Sequence, residues 1–168
     1  MSKPPITEVP HFFQGYFHAV TEENITDALQ QAHAALRDYL TALPAEKWDY
    51  AYVPGKWTIK QMIQHVLDTE RIFAYRALCT ARGEAQTLPS FDENKYAATA
   101  PATHRSAKDL LLELETVRQS SLQLFDSFTP DADTRKGKAG SNEFTVRAMG
   151  FIMAGHVRHH LRVLQERY

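Results

Sequence analysis

Four segments of the sequence repeat apolar residues at intervals of three and four, and this pattern limits the possible folds more than any other feature. Apolar side chains at that spacing occupy one face of an α-helix, and that face must be covered by other apolar surface. The segments span about residues 22–43, 58–82, 106–129 and 145–168. No run of alternating β-branched residues competes with them, so the sequence predicts an all-α four-helix bundle.

Hydroxyl residues stand directly before the predicted helices, where they can cap the first turn. Thr21, Thr58 and Ser106 each precede an apolar-periodic segment, and the last helix is expected to begin at about Thr145. A capping side chain accepts a hydrogen bond from a backbone N–H that has no partner inside the helix. The rest of the chain is predicted to be irregular: a lead-in over residues 1–20, a long link over 83–105 and a loop over 131–144.

Composition limits the class of protein. A length of 168 residues suits a single domain over residues 1–168, and a net charge of -1 gives no basic surface for nucleic acid or an anionic membrane. The lone cysteine, Cys79, excludes an internal disulfide and a cysteine-based zinc site. No apolar run approaches the roughly 20 residues of a membrane span, and the first residues lack a signal-peptide pattern. We therefore expect a cytoplasmic protein.

The last predicted helix contains a cluster of three histidines. His156 and His160 are four residues apart and border the apolar stripe, whereas His159 points away, toward solvent or a partner. Two imidazoles at that spacing can bind one zinc, nickel, copper or iron ion. The alternative is a pair of core histidines that are hydrogen-bonded to a carbonyl or a carboxylate. Both interpretations stay open on these residues alone.

A third ligand would have to come from another helix, and His65 is the best candidate. It lies on the flank of the second apolar stripe, where the edges of neighbouring stripes can meet. The remaining histidines have no partner at chelating spacing and are predicted to be solvated or packed: His11, His18, His33 and His104.

Two stretches, PGKWTIKQMIQHVLDTER and GHVRHHLRVLQERY, together resemble the DinB/YfiT-like superfamily of metal-binding four-helix proteins. The family pattern is a Pro-Gly-x-Trp-(Ser/Thr) turn, a histidine on the second helix and a His-x-x-x-His pair on the last. The similarity covers roughly residues 51–168. It implies a divalent metal, nickel or zinc, held by His65, His156 and His160, and a homodimer.

The resemblance also implies a range of activities on small molecules. Family members include S-transferases that use a low-molecular-weight thiol, a thiol-dependent maleylpyruvate isomerase and metal-dependent hydrolases. Three protein ligands leave a metal position open to water, as a hydrolase needs, or to a small thiol, as a transferase needs. The alternatives are a non-catalytic, stress-related metal-binding protein and a plain bundle whose histidines never meet.

Glu70 lies near the middle of the second apolar stripe, which is a costly position for a charge. It could orient a metal-bound imidazole or act as a general base. The alternative is a structural ion pair with a nearby arginine such as Arg71, Arg76 or Arg147.

Three further residues have weaker predicted roles. Asp92 in the long link is a candidate to bind substrate or a water, although a solvated carboxylate is the simpler expectation. The tryptophans Trp48 and Trp57 are expected to anchor the core around a turn rather than to contact substrate.

Overall fold

The computed structural model describes residues 1–100 and 102–168, so Pro101 of the long link lies outside the described part. The α-helices in those residues are α1 (Gln14–His18), α2 (Ile25–Thr41), α3 (Ile59–Ala81), α4 (Glu93–Thr99), α5 (Ala107–Asp126) and α6 (Val146–Arg167). The strands are β1 (Lys136–Ala139) and β2 (Asn142–Thr145), and short 3-10 turns lie at Ile6–Glu8, His11–Phe13, Ala45–Asp49, Ala102–His104 and Pro130–Ala132. The four long helices α2, α3, α5 and α6 form the bundle, which confirms the predicted fold class.

Helix α6 is the centre of the molecule. It packs against α1, α2 and α3, while α5 covers α3 and α2 from the other side. Between Val146 and Val157 its only charged residue is Arg147, and nearly every side chain in that stretch is buried. A helix that is apolar on all sides needs cover on all sides. The histidines of α6 are therefore enclosed by the neighbouring elements.

Capping interactions fix where the long helices begin. The Thr58 hydroxyl accepts a hydrogen bond from the Gln61 N–H, and Ser106 and Thr145 cap α5 and α6 in the same way. The expectations for Thr58 and Ser106 are confirmed, and α6 begins directly after Thr145, as predicted. The expectation for Thr21 is wrong, because Asn24 caps α2 through its side-chain oxygen. Residues 23–25 instead pair their backbone with residues 1–3, which keeps the chain extended until Asn24.

The lead-in over residues 1–20 is built into the core rather than irregular. Phe13 and Phe17 are buried, and α1 lies directly on α6. The contact is closest at Gly155, where an added Cβ would lie 2.0 Å from the carbonyl oxygen of Tyr16. Glu8 accepts hydrogen bonds from Thr145 (2.8 Å) and from the Arg147 guanidinium (Nε, 2.8 Å). This segment is consequently fixed on the helix that contains two of the candidate ligands.

The predicted loop over residues 131–144 contains a β-hairpin, which the sequence analysis missed. Lys136 pairs with Thr145 and Ala139 with Asn142, across a turn in which Gly140 has a φ of +57°. The Leu88 N–H donates to the Lys138 carbonyl (2.8 Å), and the Gly140 N–H donates to the Leu88 carbonyl (3.1 Å). These bonds tie the long link to the hairpin. The strands KGKA and NEFT contain one large apolar residue, Phe144, so the sequence shows no strand pattern.

The long link is also more ordered than predicted, since it contains helix α4. None of the described helices is both long enough and apolar enough to cross a membrane.

The close approach at Gly155 gives a first prediction. Gly155→Ala is expected to lower the free energy of unfolding by about 1–3 kcal/mol, because the new methyl group collides with the Tyr16 backbone and displaces α1. Urea denaturation measures the effect. Gly15→Ala is the matched control: nothing lies within 4 Å of its added Cβ, so the free energy of unfolding should stay the same or rise slightly. Equal effects of the two substitutions would contradict the packing described here.

Candidate metal centre

Three imidazoles from two helices meet at one point. The His156 Nε2 lies 3.1 Å from the Nε2 of His65 on α3 and 3.0 Å from the Nε2 of His160 on α6. One ring nitrogen from each residue lies within 4.8 Å of the others. Two nitrogens that bind the same zinc at about 2.0–2.1 Å are separated by roughly 3 to 3.4 Å. The spacing of His156 and His160, together with the family resemblance that supplied His65, correctly indicated that these three residues converge. Their role as ligands remains a prediction.

Hydrogen bonds among the three rings cannot satisfy all of the ring nitrogens that meet here. A ring nitrogen has either one N–H or one lone pair, so it takes part in one good hydrogen bond. The Nε2 of His156 has two other ring nitrogens within 3.1 Å, and it can satisfy only one of them. A cation in contact with all three lone pairs would satisfy the whole set. The donor set therefore fits a divalent metal.

Burial keeps the imidazoles in the neutral form that binds metals. Burial lowers the pKa of His65 from 6.5 to about 4, although the nearby Glu93 carboxylate opposes this shift. Burial also lowers the pKa of His156 and of His160 well below the ordinary value, and the neighbouring histidines add to the effect. At neutral pH all three rings have a lone pair available.

The ring nitrogens that face away from the cluster differ in their surroundings. The Thr69 hydroxyl lies 3.4 Å from the Nδ1 of His65, so this nitrogen can donate to it while Nε2 stays free to bind. The Nδ1 of His160 is buried without a hydrogen-bond partner in the described part of the chain. Metal-binding histidines usually have such a partner. Of these two rings, only that of His65 has a partner at Nδ1 that can fix its orientation.

Aromatic side chains surround the cluster. The Trp57 ring packs on His65 with centroids 4.9 Å apart, and Tyr16 and Phe73 contact the edge of His156 at 5.4 and 6.0 Å. Trp48 is buried in the core as expected. The expectation for Trp57 is wrong, because it is only partly buried and lines the cavity beside the histidines.

The three histidines form one wall of a cavity of about 330 Å³. Its other walls come from the lead-in, α3, the long link and the hairpin. Apart from the histidines, the polar residues that line it are Tyr16, Thr69, Arg76, Ser90, Glu93 and Asn142. Sequence reasoning missed Tyr16 and Asn142, because the segments that contain them were interpreted as irregular.

Glu70 faces a different partner from the arginines proposed on the sequence. Its carboxylate accepts a hydrogen bond from the Arg118 guanidinium on α5 at 2.9 Å, and both side chains are almost fully buried. Burial lowers the pKa of Arg118, and the nearby Glu70 opposes that shift. The ion-pair interpretation is therefore correct, whereas the partner arginine was wrong. Glu70 is absent from the lining of the cavity.

Asp92 and Glu93 are adjacent in the sequence, but only Glu93 lines the cavity. The Asp92 carboxylate caps α4, accepting from the N–H groups of Asn94 (3.0 Å) and Lys95 (3.1 Å), and its residue is exposed. Glu93 lines the cavity instead. The exposure of Asp92 agrees with the simpler expectation of a solvated carboxylate, and a substrate-binding role for it stays a prediction. The sequence analysis did not single out Glu93.

The remaining histidines lie outside the cluster. His159 is half-buried, with its ring 5.1 Å from that of Tyr16, so it contacts the lead-in rather than only solvent. The His33 ring nitrogen lies 2.7 Å from a Glu115 oxygen, which makes it a packed histidine as predicted. His11, His18 and His104 are exposed.

Comparison with known proteins shows the family of this chain. Residues 28–164 match the DinB superfamily. The chain belongs to this family. A relative from Oceanobacillus iheyensis, named "Putative metal-dependent hydrolase", is 26% identical over 146 residues and is matched over 84% of both chains.

Solved structures confirm the fold at low sequence identity. YfiT from Bacillus subtilis, a four-helix bundle of unusual topology, matches with a TM-score of 0.72 and 17% identity over 84% of this chain and 82% of its own. A mycothiol-dependent maleylpyruvate isomerase matches with a TM-score of 0.71 and 14% identity over 87% of this chain and 61% of its own. The colibactin self-resistance protein ClbS, solved with double-stranded DNA, has a TM-score of 0.67 and 15% identity over 84% of this chain and 92% of its own.

The lowered pKa values predict how acid affects the metal-free protein. The unfolded chain protonates His65 below about pH 6.5, whereas the folded chain does so only near pH 4. Stability is therefore complete above that range and is lost as the pH falls, by roughly 2 kcal/mol at pH 5 for His65 alone. Urea denaturation of chelator-treated protein at pH 7 and pH 5 measures this loss.

The matched variants are His65→Gln and His18→Gln, because His18 is exposed. The first should reduce the loss on acidification and the second should leave it unchanged. If both variants kept the full loss, the buried, neutral state of His65 would be disproved.

Proposed function

We propose that this chain is a divalent-metal-dependent enzyme that acts on a small molecule, with His65, His156 and His160 as the metal ligands. The main support is the meeting of three ring nitrogens on the wall of a cavity, where the His156 Nε2 lies 3.0–3.1 Å from the other two. A closed structural site would have no such opening. Zinc or nickel bound there would supply Lewis acidity toward a water or a thiol.

The chain's own residues suit a reaction that requires protons to be moved. Burial, with the Glu93 carboxylate nearby, raises the pKa of Tyr16, so its hydroxyl stays protonated and can donate a hydrogen bond. Glu93 lines the cavity and can accept a proton from a substrate or a water there. The rings of Trp57 and Phe73 exclude water around the histidines. We assign donation to Tyr16 and proton acceptance to Glu93.

Two reaction types fit this cavity, and relatives support both. Hydrolysis agrees with the name of the Oceanobacillus relative, and transfer to or from a small thiol agrees with the mycothiol dependence of the structurally similar isomerase. The alternative is a metal-binding protein without turnover. ClbS was solved with DNA, but the net charge of -1 gives this chain little attraction for phosphates, so we keep a small molecule as the partner. A homodimer also remains a prediction.

Metal content tests the proposed ligands. Protein purified without a nickel column should contain close to one divalent ion per chain after dialysis against zinc, as measured by plasma mass spectrometry. His156→Ala should lose this ion, because two rings bind much more weakly than three. His159→Ala is the matched control from the same helix and should retain it. Retention by His156→Ala, or equal loss by both variants, would contradict the assignment.

Activity separates an enzyme from a binding protein. The zinc-loaded protein is incubated with monochlorobimane and glutathione, mycothiol or bacillithiol, and separately with panels of esters and amides. Conjugation or hydrolysis that is at least tenfold slower with His156→Ala, and unchanged with His159→Ala, is the expected result. Metal binding without turnover on any panel would favour the non-catalytic alternative.

A further inference from the structure

Arg76 is a buried cation on the same helix face as His65. His65, Thr69, Phe73 and Arg76 follow one another along α3 at intervals of three or four residues, and all of them line the cavity. The Arg76 side chain is buried, with 6% of the residue exposed. Its Nη2 donates to the Pro89 carbonyl at 2.8 Å, and it makes no ion pair with any residue that the structure describes.

Such an arginine is costly without an anion. Burial lowers the pKa of Arg76, which reflects the free energy lost when its charge leaves water. The Phe73 and Phe91 rings lie 5.6 and 5.7 Å from the guanidinium carbon and compensate part of that cost. A guanidinium has five N–H donors, and among the described residues only the Pro89 carbonyl accepts from the one of Arg76. The group can therefore bind an anion that enters the cavity.

We infer that Arg76 binds the carboxylate of the small-molecule ligand, and this inference rests on the proposed function of the cavity. The planar fork of a guanidinium matches a carboxylate through two parallel hydrogen bonds. A singly charged anion balances the one cation. A phosphate monoester has a charge of about -1.5 to -2 and would leave excess negative charge in a largely apolar cavity that Glu93 also lines.

The position of Phe73 defines the rest of the ligand. Its ring lies 6.0 Å from the His156 ring and 5.6 Å from the Arg76 guanidinium carbon, so it stands between the two polar ends of the cavity. A ligand that reaches from Arg76 to the histidines must cross this ring. The substrate class is therefore a monocarboxylate whose reacting group is separated from the carboxylate by a short apolar or aromatic body.

The neighbouring elements hold Arg76 in place. Pro89, which accepts its hydrogen bond, directly follows Leu88, and the Leu88 backbone is bonded to the hairpin at Lys138 and Gly140. The guanidinium is thus fixed from outside its own helix. Anion binding would need little rearrangement of the chain.

Phenylacetate and phenylacetamide are suitable probes, because they share a shape and differ in charge. Calorimetric titration of the zinc-loaded and the metal-free protein should show phenylacetate binding at least tenfold more tightly in both forms, as expected for a charge-assisted pair. Arg76→Gln should remove this preference. Arg82→Gln is the matched control, since Arg82 is an exposed arginine at the end of the same helix, and it should keep the preference.

Each other outcome overturns one assignment. Equal binding of the two probes to the wild-type protein, or no phenylacetate binding at millimolar concentration, rejects the inference without any variant. Phenylacetate binding that needs zinc but not Arg76 also rejects it, while supporting the metal centre. Binding that depends on Arg76 in a protein that takes up no zinc keeps the inference and rejects the proposed function.

A second substitution covers the case in which Arg76→Gln fails to fold. Arg76→Lys keeps the charge but loses the fork, so phenylacetate should bind at least about threefold more weakly while phenylacetamide is unaffected. Unchanged phenylacetate binding in this variant would reject the assignment of the carboxylate to Arg76.

Discussion

The molecule depends on the burial of one helix that contains two imidazoles. Helix α6 is covered by α1, α2 and α3. The packing of α3 on α6 brings the Nε2 of His65 to 3.1 Å from the Nε2 of His156. Because burial removes the histidine rings from water, they stay neutral. Hydrogen bonds among their neighbouring ring nitrogens cannot satisfy all of these nitrogens. The packing that stabilises the bundle thus also assembles a donor set that fits a cation.

The walls of the cavity come from segments that join the helices of the bundle. Gly155 allows the α1 backbone to touch α6, which places the Tyr16 ring against His156. The hairpin fixes Leu88 on the opposite side, and with it the link that supplies Phe91 and Glu93. Connections of this kind vary more readily than the helices they join. One four-helix scaffold can therefore keep its histidine cluster and present different cavities to different ligands.

The parts that the sequence predicts are those governed by local periodicity. Helical spacing places His156 and His160 on one face, and the resemblance to a family supplies His65. Residues whose position depends on tertiary contacts are not predictable in this way. Arg118 pairs with Glu70 from 48 residues away, and no local pattern connects them. The hairpin strands have four residues each and one large apolar side chain between them, so no alternation marks them, and their bonds to Leu88 form only in the folded chain.

Two buried arginines in this structure have different neighbours, and this difference bears on function. Arg118 is enclosed between helices and has the Glu70 carboxylate at 2.9 Å, as expected where a charge serves only the packing. Arg76 is nearly as buried, yet it has a carbonyl and two aromatic rings as its neighbours. An acid beside it would have stabilised the fold and blocked the cavity. Its absence from the described surroundings of Arg76 leaves the anion to be supplied by the ligand, which links the substrate class directly to the energetics of the fold.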